Sequence, residues 1–258
     1  MATEAWQSQV AGSPTDENEE LVLFKHPRSD KMSTMNVFDR DAVEIFEDDK
    51  YANVILFHGY GADAQDLAPL SRAIPTKVKC NWFFPQGPLS IPLGAHWIGK
   101  AWWPIPIDRY QEAGSTLDTS VEVPKGIEKL RSEFQKWLAM KDLNPKKTLI
   151  AGFSQGGMLA QDLFFTFPQN FCALGLLSTN LINKAYLKAQ PTENLKGKSA
   201  FLSHGHSDPV LPIAGCRALD TFLNETGLKT KTHFFSGGHE IPQGVLTQLG
   251  QFIDQVLD

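Results

Sequence analysis

The chain has 258 residues, enough for one α/β domain with a full core, and its 42% hydrophobic and 21% charged content is that of an ordinary globular protein. A net charge of −5 with scattered lysines and arginines excludes the basic footprint of a nucleic-acid partner or an anionic membrane. Three cysteines, Cys80, Cys172 and Cys216, are odd in number and lack metal-ligand spacing, so they read as small core residues, with neither a metal nor a redox role.

Residues 1–20 are polar, with an acidic run from Asp16 to Glu20, and read as a flexible tail. Residues 21–258 read as one domain. Leu21–Phe24 and Val43–Phe46 look like short strands, and the continuous apolar run Asn53–Phe57 looks like a buried parallel strand ending at His58-Gly59-Tyr60-Gly61. A helix is expected over Asp66–Ala73 and a strand over Asn81–Phe84. The stretch 86–119, rich in proline, glycine and tryptophan, reads as irregular. Helical periodicity covers Val123–Met140, with Pro124 suited to a first turn. Strands follow at Thr148–Phe153, Phe171–Leu177, Ala200–Leu202 and Lys231–Phe235, with helices after Ser154 and over Ile213–Thr226 and Gln243–Leu257. Strands alternating with helices predict a mostly parallel central sheet with helices on both faces. No run of ~18 apolar residues predicts a membrane-spanning helix, no basic-then-apolar leader opens the chain, and a cytoplasmic protein is expected.

The most informative segment is Gly152-Phe153-Ser154-Gln155-Gly156-Gly157. A strand running into Gly-x-Ser-x-Gly and then a helix is the layout of a nucleophile elbow, a sharp turn that exposes a serine hydroxyl. Such a serine needs a base and an orienting acid, and in this layout they follow in the order acid, then histidine. Asp208 lies in the loop after one strand, and His239 follows the last strand behind two glycines. His239 would take the Ser154 proton and return it to the leaving group, and Asp208 would hold the other imidazole N–H. The backbone N–H of Gln155, at a helix N-terminus, and that of Tyr60 are the candidate oxyanion donors. Among rival groups, His204 and His206 precede the acid. His58 precedes the elbow and reads as a residue shaping the oxyanion loop through backbone hydrogen bonds. Asp162 reads as a plain helix residue, and Glu240 is too close to His239 in sequence to orient it.

Gly59-Tyr60-Gly61-Ala62-Asp63-Ala64 also matches a dinucleotide-binding pattern, but no acidic residue occurs from Leu67 through Ile107 to hold a ribose, so no cofactor is expected.

These segments resemble the phospholipase/carboxylesterase family of α/β-hydrolases, which includes acyl-protein thioesterases and small bacterial carboxylesterases. The matching stretches are Leu56–Asp63, Phe84-Pro85-Gln86-Gly87-Pro88, Ala101-Trp102-Trp103, Gly152–Gly157, His204–Val210 and Gly238-His239-Glu240, spread over about residues 53–258. The resemblance implies the α/β-hydrolase fold and a serine hydrolase that cleaves esters or thioesters with short-to-medium acyl groups through an acyl-enzyme. It implies Ser154, Asp208 and His239 as triad, and Tyr60 and Gln155 as oxyanion donors. The chain departs from the family in a longer N-terminal segment, in Tyr60 where leucine is frequent, and in Ala2 where some relatives carry a lipid-accepting cysteine. No stable membrane anchor is therefore implied. Residues 86–119 are expected to form a lid-like rim, with Trp97, Trp102 and Trp103 as candidate substrate-binding side chains. A lysophospholipase, an acyl-protein thioesterase and a catalytically silent binding module are the competing readings, and both monomer and homodimer stay open.

Overall fold

The computed structural model describes residues 36–94 and 98–258; the acidic tail at 1–20, the strand expected at Leu21–Phe24 and the Trp97 side chain lie outside the described residues. Among the described residues, seven strands form one sheet: β1 (Val43–Ile45), β2 (Ala52–Phe57), β3 (Cys80–Phe84), β6 (Thr148–Phe153), β7 (Ala173–Leu177), β8 (Ser199–Gly205) and β9 (Lys229–Phe235). Their order is β1-β3-β2-β6-β7-β8-β9, and every pairing is parallel except that of β1 with β3. The expected α/β-hydrolase-type sheet with helices on both faces is therefore present.

Side-chain alternation along the strands decides which helix covers which face. Ile55, Phe57 and Ile150 point into one core with α4 (Ile127–Lys141), α5 (Gln155–Thr166) and α7 (Ile213–Glu225). Val54, Leu56, Leu149 and Ala151 point into the other, against α1 (Ala64–Leu67), α2 (Leu70–Ala73) and α8 (Gln243–Leu257). The short α6 (Lys184–Lys188) adds Leu187 to the first core. Because both faces are covered, β2, β7 and most of β6 are buried along their length.

Three expectations require correction. The helix expected over 66–73 is two short helices, α1 and α2, with Pro69 between them as N-cap of the second. The helix expected from Val123 starts at Ile127, after Gly126 at φ +83°, so Pro124 belongs to the preceding turn and not to the helix. The stretch 86–119 is not irregular throughout. It holds an antiparallel hairpin, β4 (Leu89–Pro92) with β5 (Ile98–Ala101), then α3 (Ile107–Ala113) and a 3₁₀ turn at Gly114–Thr116. Strands of four residues containing proline, glycine and lysine are too short for a hydrophobic period to stand out.

The sheet reverses its winding between β2 and β6: the chain runs outward from β2 to β3, then returns to start β6 on the other side of β2. In a parallel sheet the crevice at such a reversal, beyond the carboxyl ends of the strands, is where ligands bind. The ends of β2 and β6 meet there, with Phe57 paired to Gly152.

Asp162 on α5 is fully buried and receives two 2.7 Å hydrogen bonds from Arg131 of α4, whose guanidinium also stacks 3.6 Å over the Tyr186 ring. Burial pushes the Asp162 carboxyl up, and Arg131 pulls it back down. Removing one partner strands a buried charge. Arg131→Met is expected to destabilise the protein by about 3–5 kcal/mol, and Arg131→Met with Asp162→Leu to recover much of that loss. Urea unfolding of the two variants checks this; equal losses in both would contradict it.

Candidate active site

The elbow is built by crowding. Ser154 sits at φ 55° and ψ −119°, a backbone conformation unusual for a residue with a Cβ, between the end of β6 and the first turn of α5. A hydrogen bond from Ser154 N–H to Leu177 O (2.9 Å) and one from Thr179 Oγ1 to Ser154 O (2.8 Å) hold it there. The glycines are needed for space. A Cβ on Gly152 would lie 2.1 Å from Gly156 O, and a Cβ on Gly156 would lie 2.2 Å from Phe57 O. The start of α5 therefore rests directly on the end of β2.

Ser154, His239 and Asp208 come together at the crevice from the loops after β6, β9 and β8. His239 Nε2 is 2.9 Å from Ser154 Oγ, and His239 Nδ1 is 2.7 Å from Asp208 Oδ2. The imidazole also lies against the Phe153 ring, with 4.9 Å between centroids. Asp208 Oδ1 accepts 2.8 Å hydrogen bonds from the N–H groups of Val210 and Leu211. Burial alone would raise the Asp208 carboxyl, but the hydrogen bond and charge of His239 and the loop amides outweigh it, and the net direction is down. An ionised carboxylate on Nδ1 leaves Nε2 as the nitrogen that can take a proton from a hydroxyl.

Tyr60 and Gln155 both line the cleft beside Ser154, and among the described residues no backbone hydrogen bond from either N–H group is found. Gln155 N–H is the first of α5, where the helix dipole favours negative charge. The arrangement can expose a hydroxyl, remove its proton and place donors for an oxyanion.

His58 is fully buried, and both its ring nitrogens are committed to backbone. Nε2 accepts from Gly87 N–H at 2.9 Å, so the proton is on Nδ1, which donates to Gly59 O at 2.8 Å. Its expected place in shaping the Gly59–Gly61 loop matches this geometry. Glu240 is engaged elsewhere: its Oε1 accepts from Gly238 N–H, and its carbonyl accepts from Ser178 Oγ.

Trp102 and Trp103 are placed otherwise than expected. They are 2% and 4% exposed and lie beneath the crevice, as packing and anchoring residues. Trp102 tilts over the His58 ring at 4.9 Å, packs edge-on to Phe57, and donates its indole N–H to His58 O at 2.8 Å. The side chain of Gln155 then clamps their backbone: Oε1 accepts from Trp102 N–H at 3.0 Å and Nε2 donates to Trp103 O at 2.8 Å. The wide aromatic side chains suggested substrate contact, but they serve burial instead.

The cleft beside Ser154 is lined by Tyr60, Ile105, Tyr110, Gln155, Met158, Val210 and Leu211. Its about 20 Å³ of free space leaves room for little more than one water molecule. Ile105 and Tyr110 come from the 86–119 segment, and Tyr110 is tied down by a 2.8 Å hydrogen bond from its hydroxyl to Glu122, which also pairs with Arg109 at 3.1 Å. A roomier surface cleft of about 400 Å³, lined by Lys77, Val78, Lys147, Asp254, Leu257 and Asp258, lies at the amino-terminal ends of β3 and β6. Ser154 lies at the opposite edge of the sheet.

Sequence reasoning missed the supports: Ser178 and Thr179, which brace the His239 loop and the elbow, and the side chain of Gln155. The polar run Ser178-Thr179-Asn180 directly after an apolar strand was a readable signal for the first two.

The chain is similar to several known proteins. The profile of the Phospholipase/Carboxylesterase family matches residues 39–257. A "Probable carboxylesterase SOBER1-like" from Arabidopsis thaliana is 26% identical over 91% of this chain and 88% of its own. An "Acyl-protein thioesterase 1" from Mycosarcoma maydis is 24% identical over 80% of this chain and 91% of its own. Among solved structures, esterase PE8 superposes with a TM-score of 0.66 at 24% identity, covering 80% of this chain and 93% of that one. Among the described residues no helix is long and apolar enough to cross a membrane.

Burial holds the His58 imidazole down to about 4 from the usual 6.5. The unfolded chain takes up a proton as pH falls through 6.5 while the folded one resists to about 4, so this histidine's contribution is present at neutral pH and lost across that window. The loss is on the order of 3 kcal/mol. Urea unfolding at a series of pH values is expected to show a shallower acid decline in His58→Gln than in the parent; parallel declines would refute it.

Proposed function

The chain belongs to the phospholipase/carboxylesterase family and is a carboxylic ester hydrolase; we propose that Ser154, His239 and Asp208 perform its reaction as nucleophile, base and orienting acid. The observation that carries this reading is the unbroken hydrogen-bond chain from Ser154 Oγ through both His239 nitrogens to Asp208 Oδ2, at 2.9 and 2.7 Å.

In the proposed reaction Ser154 Oγ attacks the acyl carbon while His239 Nε2 takes the hydroxyl proton. The carbonyl oxygen becomes an oxyanion held by Tyr60 N–H and Gln155 N–H. Collapse expels the alcohol or thiol, which receives the proton from His239, and leaves an acyl-Ser154 ester. Water then attacks that ester, giving its proton to His239. A second tetrahedral collapse releases the acid and returns the proton to Ser154 Oγ. Asp208 stays ionised and steadies the transient imidazolium.

The substrate class within this chemistry is esters or thioesters of short-to-medium acyl groups. The apolar side chains of Ile105, Met158, Val210 and Leu211 beside Ser154 support an apolar acyl group there. Residues 86–119 act as the rim over the serine through Ile105 and Tyr110. A cytoplasmic setting is part of the same proposal and is supported by three cysteines that are all unpaired.

Ser154→Ala is expected to lower p-nitrophenyl ester turnover by a factor on the order of 10⁴ or more and to abolish labelling by a fluorophosphonate. Full turnover in that variant would remove the reading.

Tyr110→Ala should raise kcat/KM for octanoyl relative to acetyl esters by about tenfold, the scale of one or two methylenes in an apolar pocket. An unchanged chain-length profile would mean that Tyr110 does not set the acyl limit.

A further inference from the structure

His204 is a second imidazole on the candidate acid, and the proposed reaction leaves it without a role. It lies within β8, four residues before Asp208, with no solvent exposure. Its Nε2 is 2.8 Å from Leu211 O and 3.3 Å from Asp208 Oδ2. A carbonyl oxygen can only accept, so Nε2 carries the proton and points it between the carbonyl and the carboxylate. Nδ1 is then a bare lone pair, and it is buried with no donor among the described residues. Adding a proton there would bury a cation with no acceptor for its new N–H, and burial does hold this imidazole below its usual range. His204 is therefore a neutral donor of fixed tautomer.

The groups it joins matter. Leu211 N–H donates to Asp208 Oδ1, while Leu211 O accepts from His204, so the Asp208–Leu211 loop is stapled on both sides of one residue. Val210 and Leu211 also form part of the cleft wall beside Ser154. The titratable groups bearing on His204 are Asp208 and His239. Asp208 Oδ2 thus faces two imidazole N–H groups, at 2.7 Å from His239 and at 3.3 Å from His204.

We infer that His204 is a positioning residue: its Nε2–H fixes the Asp208 carboxylate and the Val210–Leu211 wall, and it shares the negative charge that Asp208 directs at His239. This rests on the proposed roles of Ser154, His239 and Asp208. Without His204, Asp208 Oδ2 would act on His239 alone, hold its proton more tightly, and be free to rotate off line.

The test compares His204→Leu, which fills the volume without a donor, with His204→Gln, whose amide N–H reaches the Nε2 position. His204→Leu should lower kcat for acetyl esters about tenfold, the scale of one hydrogen bond to a charged group, with KM little changed. The acidic limb of its kcat/KM profile should move to higher pH. His204→Gln should restore both. Unchanged kcat and pH profile in His204→Leu, or a His204→Gln as impaired as His204→Leu, would overturn the inference. Should His204→Leu fail to fold, ¹⁵N-histidine spectra of the parent decide. One imidazole, absent from His204→Gln, should stay neutral and Nε2-protonated through mild acid, and an Nδ1-protonated form would overturn it. Asp208→Asn run alongside separates the failures. If Asp208→Asn keeps parent turnover, the proposed site itself falls. If it is inactive while His204→Leu is normal, only the role of His204 falls.

Discussion

The structure depends on one close approach, the seating of the first turn of α5 on the end of β2. Gly156 must lack a Cβ because Phe57 O occupies that space, and Gly152 must lack one because Gly156 O occupies it. With those atoms in contact, Ser154 is forced into its unusual backbone conformation at the point where the sheet reverses its winding. The same contact makes the residues after β2 neighbours of those after β6, so Tyr60, Ser154 and Gln155 line one cleft.

Around that contact, buried polar groups do what apolar packing cannot, which is to fix direction. His58, Trp102 and the Gln155 side chain satisfy one another through backbone groups of residues 58, 59, 87, 102 and 103. Each of these groups is buried, so a lost partner exposes an unpaired donor or acceptor to a dry interior, which costs more than the bond itself contributed. On the other side, Thr179 holds Ser154 O, and Ser178 holds the loop that carries His239. The loops at the strand ends are therefore connected by directional bonds additional to the sheet's own ladder.

Much of this was legible in the sequence, and the part that was not has a physical reason. The elbow declared itself because crowding demands glycine, and glycine at fixed offsets survives as a pattern. Asp208 and His239 could be found because a parallel sheet delivers loops to one edge in chain order. The long strands and α8 showed clear apolar periods. The hairpin β4–β5 is too short to show one, since each strand alternates over only four residues, and β5 is also held by backbone bonds between Lys100 and Gly61 and Ala62. Trp102 misled because an aromatic in a glycine- and proline-rich stretch suggests an exposed rim, whereas its indole N–H had a buried carbonyl to meet. Chain order, which argues against His204 as the base, says nothing about the carbonyl of Leu211 that orients it.

The clamp from Gln155 to residues 102 and 103 separates what can vary in this protein from what cannot. It grips only main-chain N–H and C=O groups, so it places no demand on the side chains that follow. A rim can therefore be exchanged, lengthened or redrawn beyond residue 103 without disturbing the machinery beneath, provided those two peptide groups keep their orientation. The fold thus offers a modular joint. The peptide groups it grips are committed to the scaffold, and in the rim that follows, up to residue 119, new selectivities can be tried, by evolution or by an engineer, without rebuilding that scaffold.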